Sequence, residues 1–168
     1  FSLTGMFMLL FMHFKSANLA LQVMISIPLA FIGAVIGVWL SGGVFSIATM
    51  VGFVTLTGIA ARNGIMMIAH YLHLMEHEGE KFDLKMIYRG TSERIIPVLM
   101  TALTASLALI PLIIAADEPG REILHPVAVV IFCGLFSSTL LDLTVRPLVF
   151  WKFGKKPVAA LLPAAITH

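Results

Sequence analysis

Between Ser16 and Ala61 the chain holds no Asp, Glu, Lys or Arg. A helix crosses the roughly 30 Å hydrocarbon core of a bilayer in about 20 apolar residues. The stretch is therefore too long for one crossing and must turn back on itself, and Ser41-Gly42-Gly43 supplies the turn. The rest of the chain has the same character: 59% of its 168 residues are hydrophobic, 12% are charged, and the mean hydropathy is +0.99. Such a composition excludes a soluble domain. It points to an all-α membrane protein, a helical transmembrane bundle.

Reading the polar breaks in order gives four complete spans plus the end of a fifth. Residues 1–14 are apolar but reach only about 21 Å as a helix, so they read as the end of a truncated transmembrane helix. A signal peptide would need a basic region before the apolar one, whereas the nearest base, Lys15, follows it. The chain is thus expected to be the C-terminal part of a longer protein. Transmembrane helices are expected over 19–41, 46–75, 95–116 and 123–151. Residues 79–93 are expected to form a connector helix capped by Asp83 and ended by Gly90, with Phe82, Met86 and Tyr88 in the headgroup zone. Residues 152–168 form a tail.

The bases give the orientation. Taking alternate crossings, one side collects Lys15, Lys81, Lys85, Arg89, Arg94, Lys152, Lys155 and Lys156, and the other only Arg121. The positive-inside rule puts the first group in the cytoplasm. The C-terminus and the 79–93 connector are then cytoplasmic in a multi-pass protein whose contacts include membrane lipid.

Within the spans, small residues mark close approach. Gly33 and Gly37 are four apart and flanked by Ala30 and Ala34, so another helix can pack against them. Gly52, Gly58 and Gly64 recur at six-residue steps, which spreads their contacts around the helix instead of along one seam.

Arg62, followed by Asn63, lies where the apolar run continues on both sides. A charge at that depth costs several kcal/mol unless an anion or water meets it, so it reads first as functional. Arg62 lies about 12 Å above the cytoplasmic end of its span, and Thr101 about 10 Å above Arg94 on the next, so their side chains share a depth. Arg94 and Thr101 are two turns apart on one helical face. No carboxylate of these spans is expected to reach them; Asp142 is matched at i,i+4 by Arg146, which reads as an interface anchor. Guanidinium groups stay charged in proteins, so the ionisable partner of Arg62 is expected on a helix outside this sequence. A static ion pair locking two helices is the competing reading.

Other signals are weaker. His70, His73 and His77 fall on one face near the cytoplasmic end without a fourth ligand, and read as a solvated stripe in preference to a metal site. Met6, Met8 and Met12 beside His13 read as packing. Ser137, Ser138 and Thr139 are expected to bond their own helix backbone or a neighbour. Cys133 is the single cysteine, which rules out a disulfide framework. No basic patch suggests nucleic acid, no cofactor or resident metal is implied, and no nucleophile, base and oxyanion group converge as in an enzyme.

Four stretches carry a family resemblance: Gly58 to Ile65, His70 to Met75, Arg94 to Leu103 and Glu118 to Leu124. They resemble the last helices of the resistance-nodulation-division efflux pumps, heavy-metal branch, the cobalt-zinc-cadmium and copper-silver type. The resemblance implies a proton-driven exporter of heavy-metal cations in the bacterial inner membrane. It also implies a missing N-terminal part of the same chain, a homotrimer, a periplasmic adaptor and an outer-membrane channel. In that family a basic residue at the position of Arg62 and an Arg and Thr at those of Arg94 and Thr101 surround carboxylates of the fourth helix. Arg62, Arg94, Thr101 and Asn63 are on this basis the expected proton-coupling residues. Some copper-silver members have an acid where Arg62 stands, which argues against copper or silver as cargo. The alternatives are a drug- or amphiphile-exporting relative, a non-transporting membrane scaffold, and a protein-export motor subunit.

Overall fold

A computed structural model describes residues 1–115 and 119–163. Six helices follow one another: α1 (Ser2–Phe14), α2 (Ala17–Leu40), α3 (Ile47–His77), α4 (Leu84–Ile114), α5 (Leu124–Phe153) and α6 (Lys155–Leu161). No strand occurs among the described residues. Helices α2 to α5 are long and apolar enough to cross a membrane.

The helix ends have local causes. Lys15 takes a left-handed conformation, φ 52°, which breaks the chain between α1 and α2. Gly42 and Gly43 also have positive φ, 98° and 73°, and turn the chain after α2. Ser46 and Thr49 then bond reciprocally to each other's backbone and close the first turn of α3. Asp83 starts α4, its carboxylate accepting from the Leu84 amide.

Helix α5 is the centre of the bundle, packing on α2, α3 and α4, with α6 folding back at its end. The α2–α5 pair is the most extensive. Its closeness comes from Gly33 and Gly37: a Cβ at Gly33 would run into Ser137 Cβ and Cys133 O, and one at Gly37 would sit 3.0 Å from Cys133 Cβ. Where α3 meets α5, Gly52 abuts Val130 and Gly134 of α5 admits Leu56. Two apolar clusters fill the interior: Leu19, Val23, Ile68, Tyr71, Met86 and Phe150 belong to one, and Ala30, Ala34, Leu56, Ala60 and Val130 to the other.

Three expectations need correction. The connector and the following span are one continuous helix, since α4 runs unbroken through Gly90. That glycine serves packing: a Cβ there would meet Tyr71 Cδ1 at 2.7 Å, and one interior glycine costs a helix only about 1 kcal/mol. Met86, placed in the headgroup zone, is buried, and Phe82 stacks on Trp151 with centroids 5.6 Å apart; Tyr88 alone of the three is exposed. Gly58, grouped with Gly52 and Gly64, faces nothing within 4 Å among the described residues. The tail begins as a continuation of α5 and then turns into α6, seated through Pro157 and Val158. Ala116, Asp117, Glu118 and residues 164–168, which the span, turn and tail assignments include, lie outside the described residues.

The membrane part of α4 is packed more loosely than the other long helices, with Ala105 half-buried against the second cluster. Its buried residues are Met86, Ile87 and Gly90, all before the apolar stretch. The helix carries Pro97 and Pro111 in its interior.

Candidate functional site

Helices α3 and α4 are fastened at one end and leave a cavity beyond it. At the fastened end Tyr71 Oη and Thr91 Oγ1 lie 2.6 Å apart, and Thr91 also donates to Ile87 O at 2.7 Å. Beside them His70 Nε2 meets Glu93 Oε2 at 2.8 Å. Arg89 donates to Glu78, Glu80 and Glu93 at 2.6, 2.7 and 2.9 Å, which ties the loop after α3 to the first turns of α4. Glu93 precedes the apolar stretch, and the Arg89 guanidinium, then His70, hold its carboxyl below the usual carboxylate range.

The cavity, about 230 Å³, is lined from α3 by Ile59, Arg62, Asn63, Met66 and Met67. Arg94, Pro97, Val98, Thr101, Ala102 and Ala105 line it from α4, with Leu135 from α5. The four residues expected to act in proton coupling thus share one space. Spacing explains why: 59, 62, 63 and 66 form one face of α3, and 94, 97, 98 and 101 one face of α4.

Polar contacts within the cavity are incomplete. No carboxylate lines it, and among the described residues nothing pairs with Arg62. The Nε of Arg94 is buried without a partner. Thr101 Oγ1 donates to Val98 O at 2.9 Å, so its proton is used within its own helix while the oxygen can still accept. The two guanidinium groups and the Asn63 amide can donate to an anion, which none of the described residues supplies here, while the Thr101 oxygen can accept only from a protonated group.

The remaining signals resolve differently. His70 is drawn to Glu93, while the rings of His73 and His77 stack at 4.6 Å. No group of three His, Cys, Asp or Glu side chains among the described residues is placed to hold a metal ion. Met8 and Met12 are exposed, and His13 lies edge-on to Phe14. Ser137 donates across to Leu29 O at 3.4 Å as expected of it, but Ser138 bonds Asp142, and Thr139 Oγ1 is buried without a partner. Asp142 and Arg146 pair at 2.6 Å and are far more buried than an interface anchor would be, 3% and 5% exposed.

The His70–Glu93 bond escaped the sequence reading because its partners are 23 residues apart. Arg89 and Glu93, at i,i+4, were the available signal.

The same helices in the same order occur in known proteins, and residues 1–154 match the model of the AcrB/AcrD/AcrF family. The chain belongs to the AcrB/AcrD/AcrF family. It is 39% identical over 152 residues to Protein HelA of Legionella pneumophila, covering 90% of this chain and 14% of that protein. To the cobalt-zinc-cadmium resistance protein CzcA of Cupriavidus metallidurans it is 38% identical over 144 residues, 86% of this chain and 13% of that one. The crystal structure of a heavy metal efflux pump superposes with a TM-score of 0.79 at 34% identity, covering 91% of this chain and 15% of the pump. The chain therefore spans about one-seventh of the length of these AcrB/AcrD/AcrF relatives, and its resemblance to the heavy-metal branch of the resistance-nodulation-division pumps holds over most of its residues.

Proposed function

We propose that this chain is the C-terminal membrane part of a proton-driven exporter of heavy-metal cations in the bacterial inner membrane, with its C-terminus in the cytoplasm. The observation that carries the reading is the α3–α4 cavity. Arg62, Asn63, Arg94 and Thr101 converge on it, no acid lines it, and a donor of Arg94 is left over. The Arg94 Nε is buried, and Arg62, exposed among the described residues, lies within an apolar span; a donor and a charge so placed in a membrane call for a partner. An Asp or Glu from a helix outside this sequence supplies it.

The physical consequence is a switch. While the carboxylate is ionised it draws Arg62 and Arg94 together; once it takes a proton the attraction lapses and the helices settle into another packing. A proton gradient then drives transport because the two packings differ in proton affinity. The guanidinium groups hold and release; they do not carry the proton. Heavy-metal cargo is supported by the names of the relatives, CzcA among them. The cargo would be recognised by parts of the protein outside these residues, since no metal-binding group occurs among those described. A homotrimer working with a periplasmic adaptor and an outer-membrane channel completes the proposal.

The test uses the full-length protein reconstituted in liposomes with an imposed pH gradient. Arg62→Leu should lower zinc or cobalt transport about 100-fold with normal expression, as expected when a buried carboxylate loses its cation. Arg62→Lys, which keeps the charge, should retain measurable transport. Equal transport by wild type and Arg62→Leu would sink the coupling role.

A further inference from the structure

The bundle contains a second buried charged centre that the cavity does not use. Ser138, Asp142 and Arg146 lie one turn apart along α5 and are 1%, 3% and 5% exposed. Asp142 accepts from Ser138 at 3.2 Å and from Arg146 Nη2 at 2.6 Å. The other two donors of Arg146, Nε and Nη1, are buried and unpartnered. Nη1 lies against Gly64 of α3, only 2.5 Å from where a Cβ would stand. A narrow crevice lined by Gln22 and Ser26 of α2 flanks the pair.

Position on α3 gives this contact its meaning. Gly64 follows Arg62 and Asn63, and at 100° per residue it points away from the face formed by 59, 62, 63 and 66. The guanidinium of Arg146 therefore grips α3 from behind, at the depth of the cavity residues. A Cβ at this position would push the guanidinium aside, so the present contact depends on residue 64 being glycine. A buried ion pair is poor at stabilising a fold, since apolar residues of similar volume often do as well. One that also leaves two donors unmet serves some other end.

We propose that Asp142 and Arg146 are positioning residues that set the rotation of α3 through Gly64 and so fix where Arg62 and Asn63 point. Asp142 orients the guanidinium, Ser138 orients Asp142, and the Nη1 end of the guanidinium fills the notch at Gly64. The functional consequence rests on the proposed coupling role of the cavity, but the setting of α3 does not.

The experiment therefore reads the helix directly. In the full-length protein in membrane vesicles, with Cys133→Ser and Met66→Cys, the labelling rate of the cavity thiol by N-ethylmaleimide is compared with and without Asp142→Leu/Arg146→Leu. Leucines restore apolar packing, so a merely structural pair would leave the rate unchanged, whereas a positioning pair should change it threefold or more. If the double variant does not accumulate, Arg146→Lys decides by the same threshold, because lysine can still pair with Asp142 but cannot cover Gly64 with a planar group. A smaller change overturns the proposal. The pH profile of zinc transport is measured on the same variants. Should labelling move and the profile stay fixed, α3 is set by the pair as proposed while the coupling role of the cavity fails.

Discussion

A methyl group at Gly33 would land on Cys133 O and Ser137 Cβ, so α2 and α5 could not keep their spacing. Gly33→Ala should cost about 1–3 kcal/mol, as overpacking of a tight contact does, and lower the midpoint of thermal unfolding in detergent. Gly58→Ala meets open space and removes a helix-interior glycine. It should leave that midpoint unchanged or raise stability by up to about 1 kcal/mol. The two glycines look alike in sequence, each in an apolar helix among small residues. Periodicity told which face a residue occupies, and that sufficed to bring Arg62, Asn63, Arg94 and Thr101 together. It did not tell which helix lies opposite a face: Gly64 meets Arg146, whereas Gly58 meets none of the described residues. The burial of the Asp142–Arg146 pair is hidden from sequence for a related reason: i,i+4 spacing announces an ion pair but says nothing of its depth.

Between elements, the fastened end of α3 and α4 joins buried Tyr71, Leu74, Met86 and Ile87 beneath exposed polar contacts. Glu93 is the hub, bonded to both Arg89 and His70. Because its carboxyl is held below the usual range in the folded protein, it contributes stability that is fully present above the unfolded-state pKa of about 4.3 and lost as pH falls through the depressed folded value. The protection of the α4 amides from Leu84 to Glu93 against hydrogen exchange, taken relative to the intrinsic rate at each pH, should therefore fall on acidification below that range. Glu93→Gln should exchange faster than wild type at neutral pH and lose most of the acid response; an identical pH response in that variant would assign the effect elsewhere. The existence and order of the long helices were legible because apolar runs and turn residues alternate clearly. The union of connector and span into α4 was not, since Gly90 is a common helix stop and only its contact with Tyr71 explains its place within the helix.

At the scale of the whole molecule, α5 packs on three long helices, while the membrane part of α4 has half-buried residues such as Ala105 but no fully buried one. In the proposed reading, the exposed apolar face of α4 and the cavity are where the remainder of the pump would pack; these residues cover 14% of Protein HelA. The proposed orientation predicts that a fluorescent protein fused after Lys156 glows and that alkaline phosphatase there is inactive. Phosphatase inserted beside Gly120 should be active, and the reverse pattern would invert the topology. The bundle class could be read from sequence because bilayer thickness leaves helices few alternatives. What lies against α4 could not, because the side chains that would cover it belong to other sequence.

Pro97 stands inside α4 between Arg94 and Thr101. Having no amide hydrogen, it cannot close the backbone bond to Glu93 O, and its ring crowds that carbonyl. The long rod thus has a soft joint at the level of the cavity. Flexing there alters the separation of the two cavity side chains without unwinding either arm, and carries the bend outward to both faces of the bilayer.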